Sequence, residues 1–535
     1  MVSEPLQIPE ADGARSRGGR RNARAGIWTW PVIAVAGYRL SDDLSGGLIV
    51  SLLVFSPWAF GTTQPWAIQC MNFVGYALGV LLLFKWFCRR TGGCQPADWD
   101  HFSPRSGTFS RRQSPAVREL KRLLAGLTVA VLAECLVSAL NAAAVYHPET
   151  RVFHYQAHWE WLPHSFDRDR TWSCFWKYLG LAGTFWAVSD WLMGLSPAEE
   201  LDLADATPAP ALRGTRLPDR WRTLLWVLAV NGAILGIEGI LQRESGTDKL
   251  LFVLQPRMNQ GGESQFGPYA YRSNAAQYFN LLWPLTLGFW LALRRAGQAA
   301  TRIHFWLLAC AAIMAACPII STSRAGALIS LGMLVVLLVW VLARPPVSGV
   351  PTESSGASRE PVGLLALFAL FTLLLGGCLG WHALAPRLHQ IGSGFEGREN
   401  IYTSAEPMAG DYPLYGTGPG TFATVYQLYR ISDETFWPEQ LHDDWLETRI
   451  TFGWLGFALL LAALAGTALR SFMPGGVRGH RHLVVGAWVA LAGCLVHARF
   501  DYPFQIHSTL LLFLVICALL LNLGRHTAAS SSGRQ

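Results

Sequence analysis

Residues Leu441 to Gly456 read LHDDWLETRITFGWLG, and they open a hydrophobic run that continues to about Leu469. A histidine, two aspartates and a glutamate crowd the mouth of that run. Ionisable groups are costly beside lipid, so such a cluster at the mouth of a membrane helix points to function. Runs of spanning length recur at 44–61, 66–88, 121–143, 173–195, 222–242, 274–294, 303–321, 324–343, 362–382, 447–469, 483–499 and 504–523. They make about twelve spans. Lipid-exposed strands cannot satisfy their own backbone, so the expected fold is all-α, a polytopic membrane protein.

Composition agrees. Of 535 residues, 51% are hydrophobic and 15% charged, and a soluble chain carries about 25% charged residues. Twenty-three tryptophans suit long interfacial belts. The net charge of +7 is no nucleic-acid signature, because the basic residues sit between spans rather than on one patch. Most of the ten cysteines fall in apolar runs, and no CxxC spacing suggests a zinc ribbon or redox pair. No cleavable signal peptide is evident, and no internal repeat stands out.

Residues 1–43 read as a disordered basic arm, 44–525 as the membrane domain and 526–535 as a tail. Short basic connections, among them Arg89–Arg90, Arg294–Arg295 and Arg344, fall on one side. The positive-inside rule makes that side cytoplasmic, with both termini there. The linker 344–361 is rich in Pro, Ser and Gly. Segments of about 144–172, 243–273 and 383–446 then face outward, as do the corners Ser321–Arg324 and Ala498–Phe504. The largest can hold short helices or a lid-like subdomain.

Arg272, Arg324, Arg398, Arg430 and Arg499 fall on the outer side. Arginine binds phosphate bidentately and stays charged, so several converging there suggest a phosphate-bearing ligand. The plainer reading pairs them with Glu396, Asp411, Asp433 or Asp501. Asp444-Trp-Leu-Glu447 resembles a capping box, Asp444 accepting from the first free amides and Glu447 reaching back. That leaves His442 just ahead of a helix N-terminus, where the field favours an anion and opposes imidazole protonation. A neutral histidine there is suited to accept a proton from a hydroxyl. His154 and His158 would share a helix face, a weak metal signal without the zinc-protease glutamate spacing. GTGPG at 416–420 lacks dinucleotide spacing and reads as a turn.

These stretches resemble the O-antigen ligase and polymerase superfamily. There a histidine, often followed by asparagine, precedes Leu and a Gly-x-x-Gly; His442, Leu446, Gly453 and Gly456 hold those places, with Asp443 where asparagine is usual. STSRAGAL (321–328) is similar to the family's Ser-Arg-Gly/Ala corner. EGRENIYTSAEPMAGDYPLYGTGPGTF (396–422) resembles its Gly-Arg segment, with Pro413, Leu414, Gly416, Gly418 and Phe422 matching the pattern that follows. FGPYAYRSNAAQYFNLLWP (266–284) resembles the segment that usually reads Phe-x-Asn-x-Asn; Asn274 fits and Arg272 replaces the first asparagine. The resemblance covers roughly 150–525. It implies a GT-C-type, all-helical glycosyltransferase of the bacterial inner membrane, acting on the periplasmic face without metal or cofactor and with inversion. The donor would be a glycan on undecaprenyl diphosphate, the acceptor a hydroxyl of a lipid, glycan or protein. Carried over, Arg272, Arg324, Arg398 and Arg430 would hold the diphosphate and His442 would assist the acceptor.

Three other readings stand beside a ligase: a repeat-unit polymerase of the same superfamily, a transporter or flippase of lipid-linked or anionic substrates, and a metal enzyme using His154, His158 and the 442–447 carboxylates. About twelve spans suit a transporter equally well, although no paired broken helices mark corresponding halves.

Overall fold

The computed structural model describes residues 30–92, 102–103, 108–109, 115–196, 198–199, 217–295, 303–343, 360–431, 438–473 and 480–523. It is a polytopic helical bundle. In chain order the helices are α1 (Trp30–Trp58), α2 (Pro65–Gly92), α3 (Pro115–Leu140), α4 (Arg168–Met193), α5 (Asp219–Ser245), α6 (Arg272–Arg295), α7 (Ile303–Ile320) and α8 (Arg324–Leu342). Then come α9 (Glu360–Gly376), a π turn at Gly377–Trp381, α10 (His382–His389), α11 (Ile391–Asp411), the short α12 (Phe422–Val425), α13 (Asp444–Arg470), α14 (Arg481–His497) and α15 (His507–Asn522). The small antiparallel pairs are β1 (Phe102–Ser103) with β2 (Thr108–Phe109), and β3 (Ala144–His147) with β4 (Val152–Tyr155).

Each expected span coincides with a helix. Seven helices are long and apolar enough to cross a membrane, and α7, α14 and α15 supply shorter apolar ones. Of the helices at expected spans, the two outside both groups, α4 and α6, have buried polar faces. Ser273, Asn274, Gln277, Asn280 and Thr286 of α6 are all buried. A helix enclosed by other helices can carry such residues, because lipid does not touch them. Close approach uses small residues: a Cβ on Gly288 of α6 would lie 2.8 Å from the His482 carbonyl of α14.

The N-terminal arm differs from expectation. Residues 1–29 lie outside the described residues, but helix begins at Trp30, within the arm expected to reach Asp43. Ion pairing accounts for this. Lys85 Nζ reaches both Asp42 (2.5 Å) and Asp190 (2.6 Å), Arg89 pairs with Asp190 (2.7 Å), and Arg220 pairs with Asp42 (2.6 Å). Asp42 is thereby neutralised inside a junction of α1, α2, α4 and α5, and α1 extends through it. The linker residues 344–359 and the tail 526–535 also lie outside the described residues.

At the other end of the bundle α13 is broken. Gly453 has φ 62° and ψ −167°, a conformation open to glycine. The break frees the carbonyls of Ile450 and Thr451 and the amides of Trp454 and Leu455. Thr417 N donates to Ile450 O (2.9 Å) and Gly418 N to Thr451 O (3.0 Å). Trp454 N donates to Pro413 O (2.8 Å) and Leu455 N to Leu414 O (3.1 Å). The GTGPG turn therefore enters the helix as a backbone patch, with Gly416, Gly418 and Gly420 at positive φ. Four groups that would be orphaned at membrane depth are all satisfied.

Candidate active site

Helix ends α5, α7, α10 and α14 and helix starts α6, α8, α13 and α15 meet at the end of the bundle where α13 begins. Asp443 caps α13, its Oδ1 accepting from Trp445 N (3.1 Å) and Leu446 N (3.3 Å). This corrects the expected cap by one residue. Asp444 instead turns inward and accepts from Phe504 N (2.7 Å) and Gln505 Nε2 (3.2 Å). Glu447 does reach back, but to Leu441 N (2.8 Å). The reason is Arg499, whose guanidinium lies 2.6 Å from Asp443 Oδ2 and draws that carboxylate to the surface side. Burial pushes the Asp443 carboxyl up from its ordinary value, against the amides and Arg499 that pull it down.

His442 lies just before this cap at φ 60°, an uncommon backbone for a side chain of its size. Bonds on both sides hold it. Tyr402 Oη donates to its carbonyl (3.1 Å), Leu441 is tied to Glu447, and Asp444 N donates to Ala498 O (2.8 Å). The ring is about one-fifth exposed, and Nδ1 lies 2.9 Å from Asp501 Oδ1. A carboxylate only accepts, so it fixes the imidazole proton on Nδ1 and leaves Nε2 as the basic nitrogen. Burial raises the Asp501 carboxyl, but the hydrogen bond and charge of His442, with Arg398, outweigh it and hold it at about 2. Tyr271 and Tyr502 stack at 5.8 Å and 8°, and the His442 ring meets them edge-on at 6.2 and 4.8 Å.

Beside this stack lie four arginines. Arg272 is within electrostatic reach of Arg387, Arg243 and Arg324, and Arg387 of Arg324. Arg324 follows the Ser321–Ser323 corner, where Thr322 takes φ 60° and Ser323 Oγ caps α8 on Gly326 N (3.2 Å). Its guanidinium donates to Gln390 O (2.7 Å), and that of Arg243 to Gln265 O (3.0 Å) and Ser321 O (3.1 Å). The Nε atoms of Arg243 and Arg387 are buried without a partner. Glu263 acts on Arg243 and Arg387, and Glu244 on Arg243. Four guanidiniums, two of them at the N-termini of α6 and α8, give this end of the bundle an excess of positive charge suited to an anion.

The structure thus brings together His442, Arg272 and Arg324. Arg398 sits one step away, donating to Phe500 O beside Asp501, whose charge holds its guanidinium above the usual range despite burial. Arg430 is placed by its chain neighbours on the α11 side. It follows Tyr429, whose hydroxyl donates to Asp411 (2.7 Å), and precedes Ile431, whose amide donates to Ser404 Oγ (3.3 Å) on α11. His154 and His158 share no helix: His154 is in β4 opposite Val145, its ring 4.6 Å from His147, and His158 pairs with His164 at 5.1 Å. Arg243, Arg387, Tyr271 and Tyr502 were not singled out from sequence, and Asp501 entered only as a possible ion-pair partner.

Residues 309–461 match the O-antigen ligase family. Over this stretch, 153 of the 535 residues, the chain is similar to that family. The matched stretch holds His442, Arg324, Arg387, Arg398 and the Gly416–Gly453 patch. Arg243, Arg272 and Asp501 lie outside it. No curated protein matches the chain.

Proposed function

We propose that the chain is an inner-membrane glycosyltransferase that moves a glycan from an undecaprenyl-diphosphate carrier to an acceptor hydroxyl on the periplasmic face, with both termini cytoplasmic. One juxtaposition carries this reading: the His442–Asp501 pair stands beside the excess positive charge of Arg243, Arg272, Arg324 and Arg387. A lipid diphosphate reaches this position laterally, at headgroup depth, with its sugar in water.

In the proposed step His442 Nε2 takes the proton of the acceptor hydroxyl, and the oxygen bonds to the anomeric carbon. The bond from that carbon to the terminal diphosphate oxygen breaks, and undecaprenyl diphosphate leaves with the electron pair. A single displacement of this kind inverts the anomeric carbon. Diphosphate is a good leaving group, so the arginines contribute by charge stabilisation rather than by acid catalysis. Asp501 steadies the imidazolium that forms on His442. A base of this kind contributes roughly 10²–10⁴-fold. The test is transfer by detergent-solubilised protein with a lipid-linked donor. Wild type is expected to form new glycosidic bonds, which a flippase does not, and His442→Ala and Arg324→Ala to abolish them while remaining folded. Full activity in either variant refutes the assignment.

A further inference from the structure

Two of the cysteines are more than small apolar residues. Cys135 stands on α3 less than two turns before its end at Leu140, and Cys174 on α4 less than two turns after its start at Arg168. At the helical rise both lie within about 10 Å of the helix ends that the 141–167 connection joins. Their side chains are hydrogen-bonded to each other, and Tyr178 is a further partner of Cys174. The packing of the two helices brings them together. Cys174 lines one groove with Val131 and Leu132 of α3, and Cys135 falls one turn further along that face. Cys135 is fully buried, whereas Cys174 is partly exposed. One thiol can thus be reached from outside, and the second stands behind it, positioned to resolve what forms on the first.

The same two helices flank the break in α13. The start of α4 holds the 416–420 turn and the helix after it. Phe166 N donates to Thr417 O (3.0 Å), Thr171 Oγ1 to Pro419 O (3.0 Å) and Thr424 Oγ1 to Asp167 Oδ2 (2.7 Å). A Cβ on Gly420 would lie 3.4 Å from Cys174 Cβ. From the other side α3 packs on α13 just past the break, where a Cβ on Gly456 would lie 2.6 Å from both oxygens of the Glu134 carboxylate. A bond between Cys135 and Cys174 would therefore close a frame of α3, α4, the turn and α13.

We propose that Cys135 and Cys174 are joined by a disulfide that braces α3 against α4 beside the broken helix. This rests on the function proposed above only for the outward placement of both thiols, towards a compartment that sustains disulfides. The oxidant is a disulfide-bearing carrier of that compartment. The Cys174 thiolate attacks one sulfur of the carrier and expels the other as a thiolate. Cys135 then attacks the Cys174 sulfur of the mixed disulfide and expels the second carrier thiolate. Two electrons pass to the carrier, and the two protons given up by the cysteines end on its thiols. The loop that the bond closes, 136–173, is long, which favours a sizeable stabilisation.

Thiol mapping tests this without any transfer assay. Bacterial cells holding the full chain are quenched in acid, and the unfolded protein is alkylated with one maleimide before reduction and another after it. Cys135 and Cys174 are expected to take only the second label, and to appear as a linked peptide pair before reduction. In purified Cys135→Ser, glutathione disulfide is expected to leave a mixed disulfide on Cys174. Reduction is expected to lower wild-type melting by about 5 °C and to leave Cys135→Ser/Cys174→Ser unmoved. First label on both cysteines in cells, or equal wild-type melting with and without reductant, overturns the proposal. Purified wild type with glutathione disulfide then separates the causes. Formation of the linked pair there faults the outward orientation taken from the proposed function, and resistance faults the thiol contact itself.

Discussion

Asp501→Asn tests the catalytic reading most sharply, because it removes one charge and little volume from a fully buried position. The wild-type carboxyl sits at about 2 against an ordinary 3.8. That difference, 3.8 − 2, is worth about 2 kcal/mol at 1.36 kcal/mol per unit. It measures how strongly the ionised carboxylate prefers its neighbours, chiefly His442 and Arg398, after burial has worked against it. Much of that preference is for protonated imidazole, which is the form His442 takes when it accepts the acceptor's proton. Losing it in the transition state slows kcat about 30-fold, and an asparagine amide that holds the wrong tautomer extends the loss toward 10³-fold or more. The donor KM is expected to stay within about threefold, since the arginines are untouched. The sign for stability follows from the depressed value. The contribution is present above about pH 4, where the unfolded chain's aspartate is ionised, and is lost as pH falls through about 2. Wild type is therefore expected to lose about 2 kcal/mol across that window and Asp501→Asn to show a flatter acid limb. The assay is transfer in proteoliposomes against acceptor and donor concentration, with melting followed from pH 6 to pH 2. A kcat within threefold of wild type, with the acid limb unchanged, would refute the roles of both residues.

Arg387→Ala is expected to cut transfer about 10²-fold or more, as removal of a transition-state charge donor does. Apo melting should be unchanged or higher, because one of four mutually repelling guanidiniums is gone; stabilisation by added pyrophosphate, read as a melting shift, should shrink. Gly453→Ala is expected to cost about 2–4 kcal/mol, since the new Cβ meets the Leu414 carbonyl and the residue must keep a strained backbone; native melting would contradict the broken-helix account. Asp443→Ala should cost about 1 kcal/mol through the lost cap, and Asp443→Ser should recover most of it. Equal melting of the two would place the capping function elsewhere.

The fold was legible because hydrophobic length is a direct signal. Every span expected from the runs is a helix, including α15, which is only 16 residues long but largely enclosed. Site residues were less legible. His442 and Arg324 announced themselves by standing at span ends beside polar company. Arg387 did not, because nothing local distinguishes HALAPRLH from an ordinary helix end; its role comes from what α5, α6 and α8 bring beside it. Arg430, an outer arginine by topology, stands between Tyr429 and Ile431, whose bonds go to Asp411 and Ser404 of α11. The cap was misplaced by one residue because DD offers two equivalent carboxylates, and only a partner 56 residues away, Arg499, decides between them. His154 and His158 fit a helical spacing, yet the segment pairs as a hairpin, in which the Tyr146 and Phe153 rings pack across the strands at 4.9 Å, tilted by 48°.

The break in α13 explains why separate motifs act as a unit. Gly416 and Gly418 stand about 35 residues before Gly453, and each is ordinary alone. In space they form a single backbone pairing, in which Gly453 opens the helix and the 413–418 turn closes it. Without the turn, two carbonyls and two amides would face an apolar surrounding, at a cost of several kcal/mol. Without the glycine, the turn would have nothing to pair with. The pairing also fixes the direction of the nine helical residues between Asp444 and the break, and with it the position of His442 against Asp501. A change at Gly453 should therefore be felt as a loss of registry between His442 and the arginines on α5, α6, α8 and α10, none of which it touches.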